Sequence, residues 1–75
     1  MNEHQKLQAK ILSAAKAGNI DQMAELIDIG ANPFELDEHG KSAASYAAEA
    51  APSKIKQLAK ITARYAYTHK IEEYQ

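Results

Sequence analysis

The chain has 75 residues, with nine Lys and Arg against ten Asp and Glu, and it contains no cysteine. This length fits one small domain, and without cysteine neither a disulfide bridge nor a thiolate metal site can stabilise it. No apolar run is long enough to cross a membrane, and the first residues lack the hydrophobic region of a signal peptide. We therefore expect a cytoplasmic protein that makes no membrane contact and binds no cofactor.

The charges are distributed unevenly along the chain. Residues 20–50 carry seven acidic residues and one lysine, whereas residues 51–75 carry five basic and two acidic residues. An acidic middle and a basic end can steer a charged partner towards the protein. The same distribution also fits the solvent-exposed faces of amphipathic helices.

The first predicted helix runs from a cap at Asn2 to about Ala17. Asn2 and Gln5 have the spacing of a capping box, in which each residue satisfies a backbone amide of the other. Leu7 and Ile11 are four residues apart and begin an apolar stripe on one face of this helix.

A second helix of about ten residues follows the turn at Gly18 and Asn19. The side chain of Asn19 is a good N-cap, and Gln22 stands three residues later, where it can reach back as in a second capping box. Gly30 can adopt the left-handed conformation that ends a helix. Apolar residues recur between these signals at helical spacing: Ile20, Met23, Ala24, Leu26 and Ile27.

Residues 31–41 lack a helical period and contain a proline and a glycine, which predicts a loop. Its large apolar residues are Phe34 and Leu36, and we expect one of them to pack at the base of the loop. Ser42 then caps a short third helix from Ala43 to about Ala50.

The last predicted helix is the longest. Pro52 suits its first turn, and no helix-breaking residue appears before the end of the chain, so the helix is expected from Ser53 to about Glu72. Three of the four tyrosines, including Tyr65 and Tyr67, lie in this C-terminal part.

Four short segments, taken in chain order, form a pattern of paired alanines, glycines and a proline. They are Ala14-Ala15-Lys16-Ala17-Gly18-Asn19, Gly30-Ala31-Asn32-Pro33, Asp37-Glu38-His39-Gly40-Lys41-Ser42 and Ala47-Ala48-Glu49. This order resembles the ankyrin repeat family, in which paired alanines and a glycine turn precede an outer helix, then Gly-Ala-Asp-Pro and Asp-x-x-Gly-x-Thr-Pro-Leu-His. The similarity covers about Ile11 to Ile61.

The resemblance implies an all-α, ankyrin-like helical repeat. It has two antiparallel helix pairs joined by a hairpin-like finger loop, with an elongated C-terminal helix. The single domain, residues 1–75, would comprise an N-terminal capping pair at 1–30, the finger at 31–41 and a second pair at 42–75. Where the family has Thr-Pro-Leu-His, this chain has Ser42-Ala43-Ala44-Ser45, which fits a terminal repeat.

Ankyrin domains bind partner proteins through finger tips and the exposed ends of inner helices. The resemblance places the following residues on that protein-binding surface: Glu38, His39, Lys41, Glu49, Ala50 and Lys16. Tyr65 and Tyr67 on the last helix have three possible roles: they cap the open end of the stack, they join two copies in a homodimer, or they contact a partner.

Neither catalytic nor metal-binding residues are predicted. The three histidines, His4, His39 and His69, lie on separate elements, so they lack the spacing of metal ligands on one helix. No Gly-rich loop precedes a Lys-Ser or Lys-Thr pair, which argues against a phosphate-binding loop. We therefore expect that the protein is not an enzyme.

The favoured function is a non-catalytic protein-interaction module that acts as an adaptor, an inhibitor or a regulatory subunit. One alternative is nucleic-acid binding through the basic, tyrosine-bearing C-terminal helix, since such a face can neutralise phosphates and stack bases. Another is a self-assembling structural unit.

Overall fold

Four α-helices form the framework of residues 2–69, the part of the chain that the computed structural model describes. They are α1 (Glu3–Lys16), α2 (Ile20–Asp28), α3 (Ala43–Ala50) and α4 (Ile55–His69), and a 3-10 turn at Pro52–Lys54 leads into α4. No β-strand occurs among these residues, so the predicted all-α class is confirmed for them. The Cα radius of gyration is 11.6 Å, close to the ~11 Å of a compact chain of this length.

The N-terminal caps of α1 and α2 differ in one detail. At α1 the predicted capping box is present, because the side chains of Asn2 and Gln5 each accept a backbone N–H of the other, at 2.8 and 3.1 Å respectively. At α2 the Asn19 side chain accepts from the Gln22 N–H at 3.1 Å, but the Gln22 side chain bonds the Asn19 side-chain amide at 3.3 Å. The backbone N–H of Asn19 is already donated to the Ala14 carbonyl at 2.9 Å.

Both helices of the first pair end in the same glycine-centred motif. Gly18 and Gly30 have φ angles of +73° and +116°, which residues with a side chain rarely adopt. A Cβ atom at Gly18 would lie 3.3 Å from the Cβ of Ala51, so this turn packs against the end of α3. The hydrogen bonds are Gly18 N–H to Ala15 O, Asn19 N–H to Ala14 O, Gly30 N–H to Ile27 O and Ala31 N–H to Leu26 O.

The helices pack in two layers. α1 contacts both α2 and α3, and α4 contacts both α2 and α3, which places α1 beside α3 and α2 beside α4. α3 contributes only Ala43 and Ala47 to the core, so a neighbouring helix can approach it closely. The buried apolar residues are Ile11, Ala14, Ala15, Ile20, Met23, Leu26, Ile27, Ala31, Ala43, Ala47, Leu58 and Ile61.

The loop between α2 and α3 is attached to α1 and to α3. The side chain of Gln8 in α1 donates to the Asn32 carbonyl at 3.0 Å and accepts from the Asn32 N–H at 2.6 Å. Pro33 is fully buried, and its carbonyl accepts from the Ala44 N–H at 3.0 Å. Pro33 thus occupies the place expected for Phe34 or Leu36, which are 42% and 65% exposed.

α4 begins two residues later than predicted, because residues 52–54 adopt the tighter 3-10 geometry. It is 15 residues long as described, ending at His69. The predicted continuation to Glu72 lies outside the described residues. Within residues 2–69, none of the helices has both the length and the apolar composition needed to span a membrane.

Candidate functional site

The carboxylate of Asp37 organises the tip of the loop. Its Oδ1 accepts the backbone N–H groups of His39 and Lys41 at 2.8 and 3.0 Å. The Asp37 N–H donates to the Lys41 carbonyl at 2.8 Å, which closes a short hairpin-like turn. The hydroxyl of Tyr46 in α3 donates to Oδ2 of the same carboxylate. One aspartate therefore fixes the turn and ties it to α3.

Tyr46 lies at the centre of a group of charged residues that we call the finger cluster: Lys16, Asp37, Lys41, Tyr46 and Glu49. The Nζ atoms of Lys41 and Lys16 lie 4.6 and 5.0 Å from the centroid of the Tyr46 ring. Lys41 also donates to both carboxylate oxygens of Glu49, at 2.8 and 2.9 Å. The structure thus brings together Lys16, Lys41 and Glu49, three residues of the predicted protein-binding surface, around a tyrosine that the sequence analysis did not select.

The other residues predicted for this surface lie at its edges. Glu38 and His39 are exposed at the loop tip, with Glu38 Oε2 and His39 Nε2 3.7 Å apart. Ala50, at the end of α3, lies beside the turn at Gly18. Glu38 and His39 are therefore accessible to a partner, whereas Lys41 and Glu49 already neutralise each other.

The bonds around Asp37 shift the acidity of both partners. The Tyr46 hydroxyl, followed by the Lys41 N–H, lowers the pKa of Asp37 from 3.8 to about 2. The Asp37 carboxylate, followed by burial, raises the pKa of Tyr46 to about 12. Since the folded pKa of Asp37 lies below its unfolded value, its ionised form stabilises the fold above pH ~3.8. That contribution is lost as the pH falls through about 2.

Replacing Tyr46 with Phe should raise the pKa of Asp37 towards 3.8, because it removes the hydroxyl that lowers this pKa most. The measurement is a 13C NMR titration of the Asp37 carboxyl carbon in the wild type and in Tyr46→Phe. Tyr67→Phe, at an exposed tyrosine of α4, is the matched control and should leave the titration unchanged. An unchanged midpoint in Tyr46→Phe would assign the shift to the backbone amides instead.

A second surface is a groove of about 460 Å³ between α2 and the C-terminal half of α4, which we call the outer groove. Its floor includes Ile27 and Ile61, both nearly buried. At its rim the Arg64 guanidinium lies 3.4 Å from the Asp28 carboxylate, and both side chains are more than half exposed. The groove is lined by Ala24, Ile27, Asp28, Ile29, Gly30, Ile61, Arg64, Tyr65, Thr68 and His69.

Tyr65 connects the outer groove to the loop. The edge of its ring meets Phe34, with the ring centroids 5.9 Å apart and the planes at 62°. On its other side His69 stacks at 3.9 Å, with Nδ1 3.0 Å from the Tyr65 carbonyl, so Nδ1 carries the proton. Burial, with a smaller effect from the Glu35 carboxylate, raises the pKa of the Tyr65 hydroxyl.

Two of the exposed large apolar side chains lie at or beside this groove. Ile29, which lines it, is 66% exposed, and Phe34, which contacts Tyr65, is 42% exposed. Tyr67 is 86% exposed and does not line the groove. Residues two apart on a helix point to nearly opposite sides, so Tyr65 and Tyr67 belong to different surfaces of α4.

The histidines are dispersed in the structure. His4 bonds Glu35 at 2.8 Å, His39 lies beside Glu38, and His69 is in the outer groove. In the part of the chain that the structure describes, no three His, Asp or Glu side chains are close enough to hold a metal ion.

Comparison with known proteins found no protein-family model, no curated protein and no solved structure that matches the chain.

Proposed function

We propose that this protein is a minimal ankyrin-like domain that binds another protein without catalysis, as an adaptor, an inhibitor or a regulatory subunit. The contacts of α1 with α3 and of α2 with α4 support an ankyrin-like arrangement. Contacts of this kind are expected where the pair α1–α2 stacks on the pair α3–α4. The glycine-ended turns, the Ser42 cap of α3 and the closed turn at Asp37 also support this proposal.

The observation that carries the binding function is the outer groove, a concave site with exposed apolar side chains at and beside it. Single exposed apolar residues are normal on a protein surface, but a cluster around a concave site marks an interaction surface. Here Ile29 and Tyr65 line the groove together with the buried Ile27 and Ile61, and Phe34 contacts the Tyr65 ring. Tyr65, which also contacts the His69 ring, is well suited to anchor a partner, because an aromatic side chain already held by other rings loses little freedom on binding.

The finger surface remains a second candidate contact area. Glu38 and His39 are exposed there, but Lys41 is bonded to Glu49 and stacked on Tyr46. A partner that engages Lys41 has to compete with these internal contacts. We therefore expect the outer groove to contribute more to affinity than the finger.

The test is a quantitative pull-down from the cells in which the protein is made, with four baits. The wild type is compared with a groove variant, Ile29→Ser with Phe34→Ser, which should lose the specific partner by at least about tenfold. Its matched control, Leu36→Ser with Ile55→Ser, removes two similarly exposed apolar side chains that do not line the groove. The fourth bait replaces Glu38, His39 and Lys41 with Ala.

Each result has a separate meaning. Loss of a stoichiometric partner in the groove variant alone would support binding at the outer groove. Loss in the finger variant alone would place the binding site at the finger surface, around Glu38, His39 and Lys41. The same captured proteins with all four baits would contradict a binding function at either surface. If the groove instead joins two copies of this chain, the wild type should associate with rising concentration and the groove variant should stay monomeric.

A further inference from the structure

The wall of the outer groove formed by α4 has one sign of charge. The helix carries Lys56, Lys60 and Arg64, and no Asp or Glu stands among its residues 55–69. These three residues are four apart, so they lie on one side of the helix in steps of about 6 Å. Over two turns they span about 12 Å. Of the three, Arg64 lines the groove, and Lys60 and Lys56 extend the basic row along α4 beyond the groove's edge.

Most of this positive charge is available. Among the ion pairs formed within residues 2–69, Lys56 and Lys60 take no part, and Arg64 has a single contact of 3.4 Å to Asp28. A guanidinium has five N–H donors in a fixed fork, so this contact leaves most of them free.

Two acidic residues at or near the groove are already engaged. Asp28 is the one acid in its lining and lies beside Arg64. Glu35, whose charge acts on Tyr65, bonds His4 at 2.8 Å. Positive charge without an acidic partner therefore lies on α4 beside the groove, at Lys60 and Lys56.

We propose that the outer groove binds an acidic amphipathic segment of the partner protein. An apolar side chain of that segment lies between Ile27 and Ile61, and carboxylates one helical turn apart meet Arg64 and Lys60. This inference rests on the proposed protein-binding function. The phosphates of a nucleic acid could bind the lysines, but they would make no favourable contact with the apolar side chains of Ile27, Ile29 and Ile61.

The test is a selection of random 16-residue peptides displayed on phage against the full chain. Enriched peptides should combine an apolar or aromatic residue with an excess of Asp and Glu. Lys60→Gln with Arg64→Gln should weaken binding of a selected synthetic peptide about tenfold. The control Lys6→Gln with Lys10→Gln removes two exposed lysines of α1 and changes the net charge equally, and it should have little effect. Affinity should also fall as salt is raised.

The groove variant, Ile29→Ser with Phe34→Ser, distinguishes a failure of this inference from a failure of the proposed protein-binding function. Peptides that bind the wild type but not the groove variant, and that show no acidic excess, would overturn the acidic partner and leave protein binding intact. If no enriched peptide distinguishes the wild type from the groove variant, this inference fails, whereas protein binding fails only if the pull-down also captures the same proteins with all four baits. A 20-nucleotide oligothymidylate could also bind more tightly than the selected peptides and lose its binding in the variant Lys60→Gln with Arg64→Gln. That result would overturn the inference in favour of nucleic acid.

Discussion

Replacing Ala15 with Asp should unfold the domain at neutral pH. Ala15 is completely buried in α1, among the helices that contact this helix. A buried charge without a partner costs about 3–5 kcal/mol or more. A single core in a domain of this size supplies only about 3–5 kcal/mol of net stability, so the substitution removes most or all of it.

The measurement is far-UV circular dichroism with a thermal melt. Ala9→Asp is the matched control, because Ala9 is exposed on the same helix and receives the same new side chain. The control should keep a cooperative transition within a few degrees of the wild type, while Ala15→Asp should lose its helical signal at 25 °C. A cooperative melt of Ala15→Asp would contradict the packing of α1 described above.

The second large effect is expected for Ile20→Ala. Ile20 is fully buried at the start of α2, and truncating a buried isoleucine to alanine costs about 2–5 kcal/mol through lost apolar contact and a cavity. Ile29, just after the same helix, is 66% exposed, so Ile29→Ala should change the free energy of unfolding by less than about 0.5 kcal/mol.

Urea denaturation of both variants measures this difference, because the same atoms are removed from a buried and an exposed position. Two midpoints that shift equally would show that Ile20 and Ile29 do not differ in burial in solution. A stable Ile29→Ala protein also shows that this position of the outer groove can be altered without damage to the fold, which the binding experiments require.

The features that could be predicted from the sequence are set by neighbours a few residues apart. The caps at Asn2, Asn19 and Ser42 and the glycine exits at Gly18 and Gly30 belong to this group. Each depends on a backbone amide or carbonyl within about five positions, so residue type and spacing are enough to identify it.

The features that could not be predicted depend on distant segments. Tyr46 became central only because Lys16, 30 positions earlier, and the loop at Asp37 both reach its ring and hydroxyl. The contact between Gln8 and Asn32 is a long-range feature that could be suspected from the sequence. Gln8 stands on the buried face of α1, and a buried side-chain amide requires a hydrogen-bond partner, here Asn32.

The site was predicted in part. The sequence points to Tyr65 as a cap, a homodimer contact or a partner contact, but its contact with Phe34 and the groove beside it depend on how the exit of α2 meets α4. The sequence places Phe34 in a loop and Ile29 at the end of a helix, and neither position indicates that the two lie near one aromatic ring.

The two-layer arrangement also affects how fast the chain can fold. Each main helix contact joins elements that are adjacent or next but one in the chain, so the loops that must close are short. Loop closure costs little entropy under these conditions, and helical domains with such local topology fold in microseconds to milliseconds. The α1–α2 pair has its own caps and most of the large core residues, so we expect it to form first, with higher φ-values at Ile11 and Ile20 than at Leu58 and Ile61.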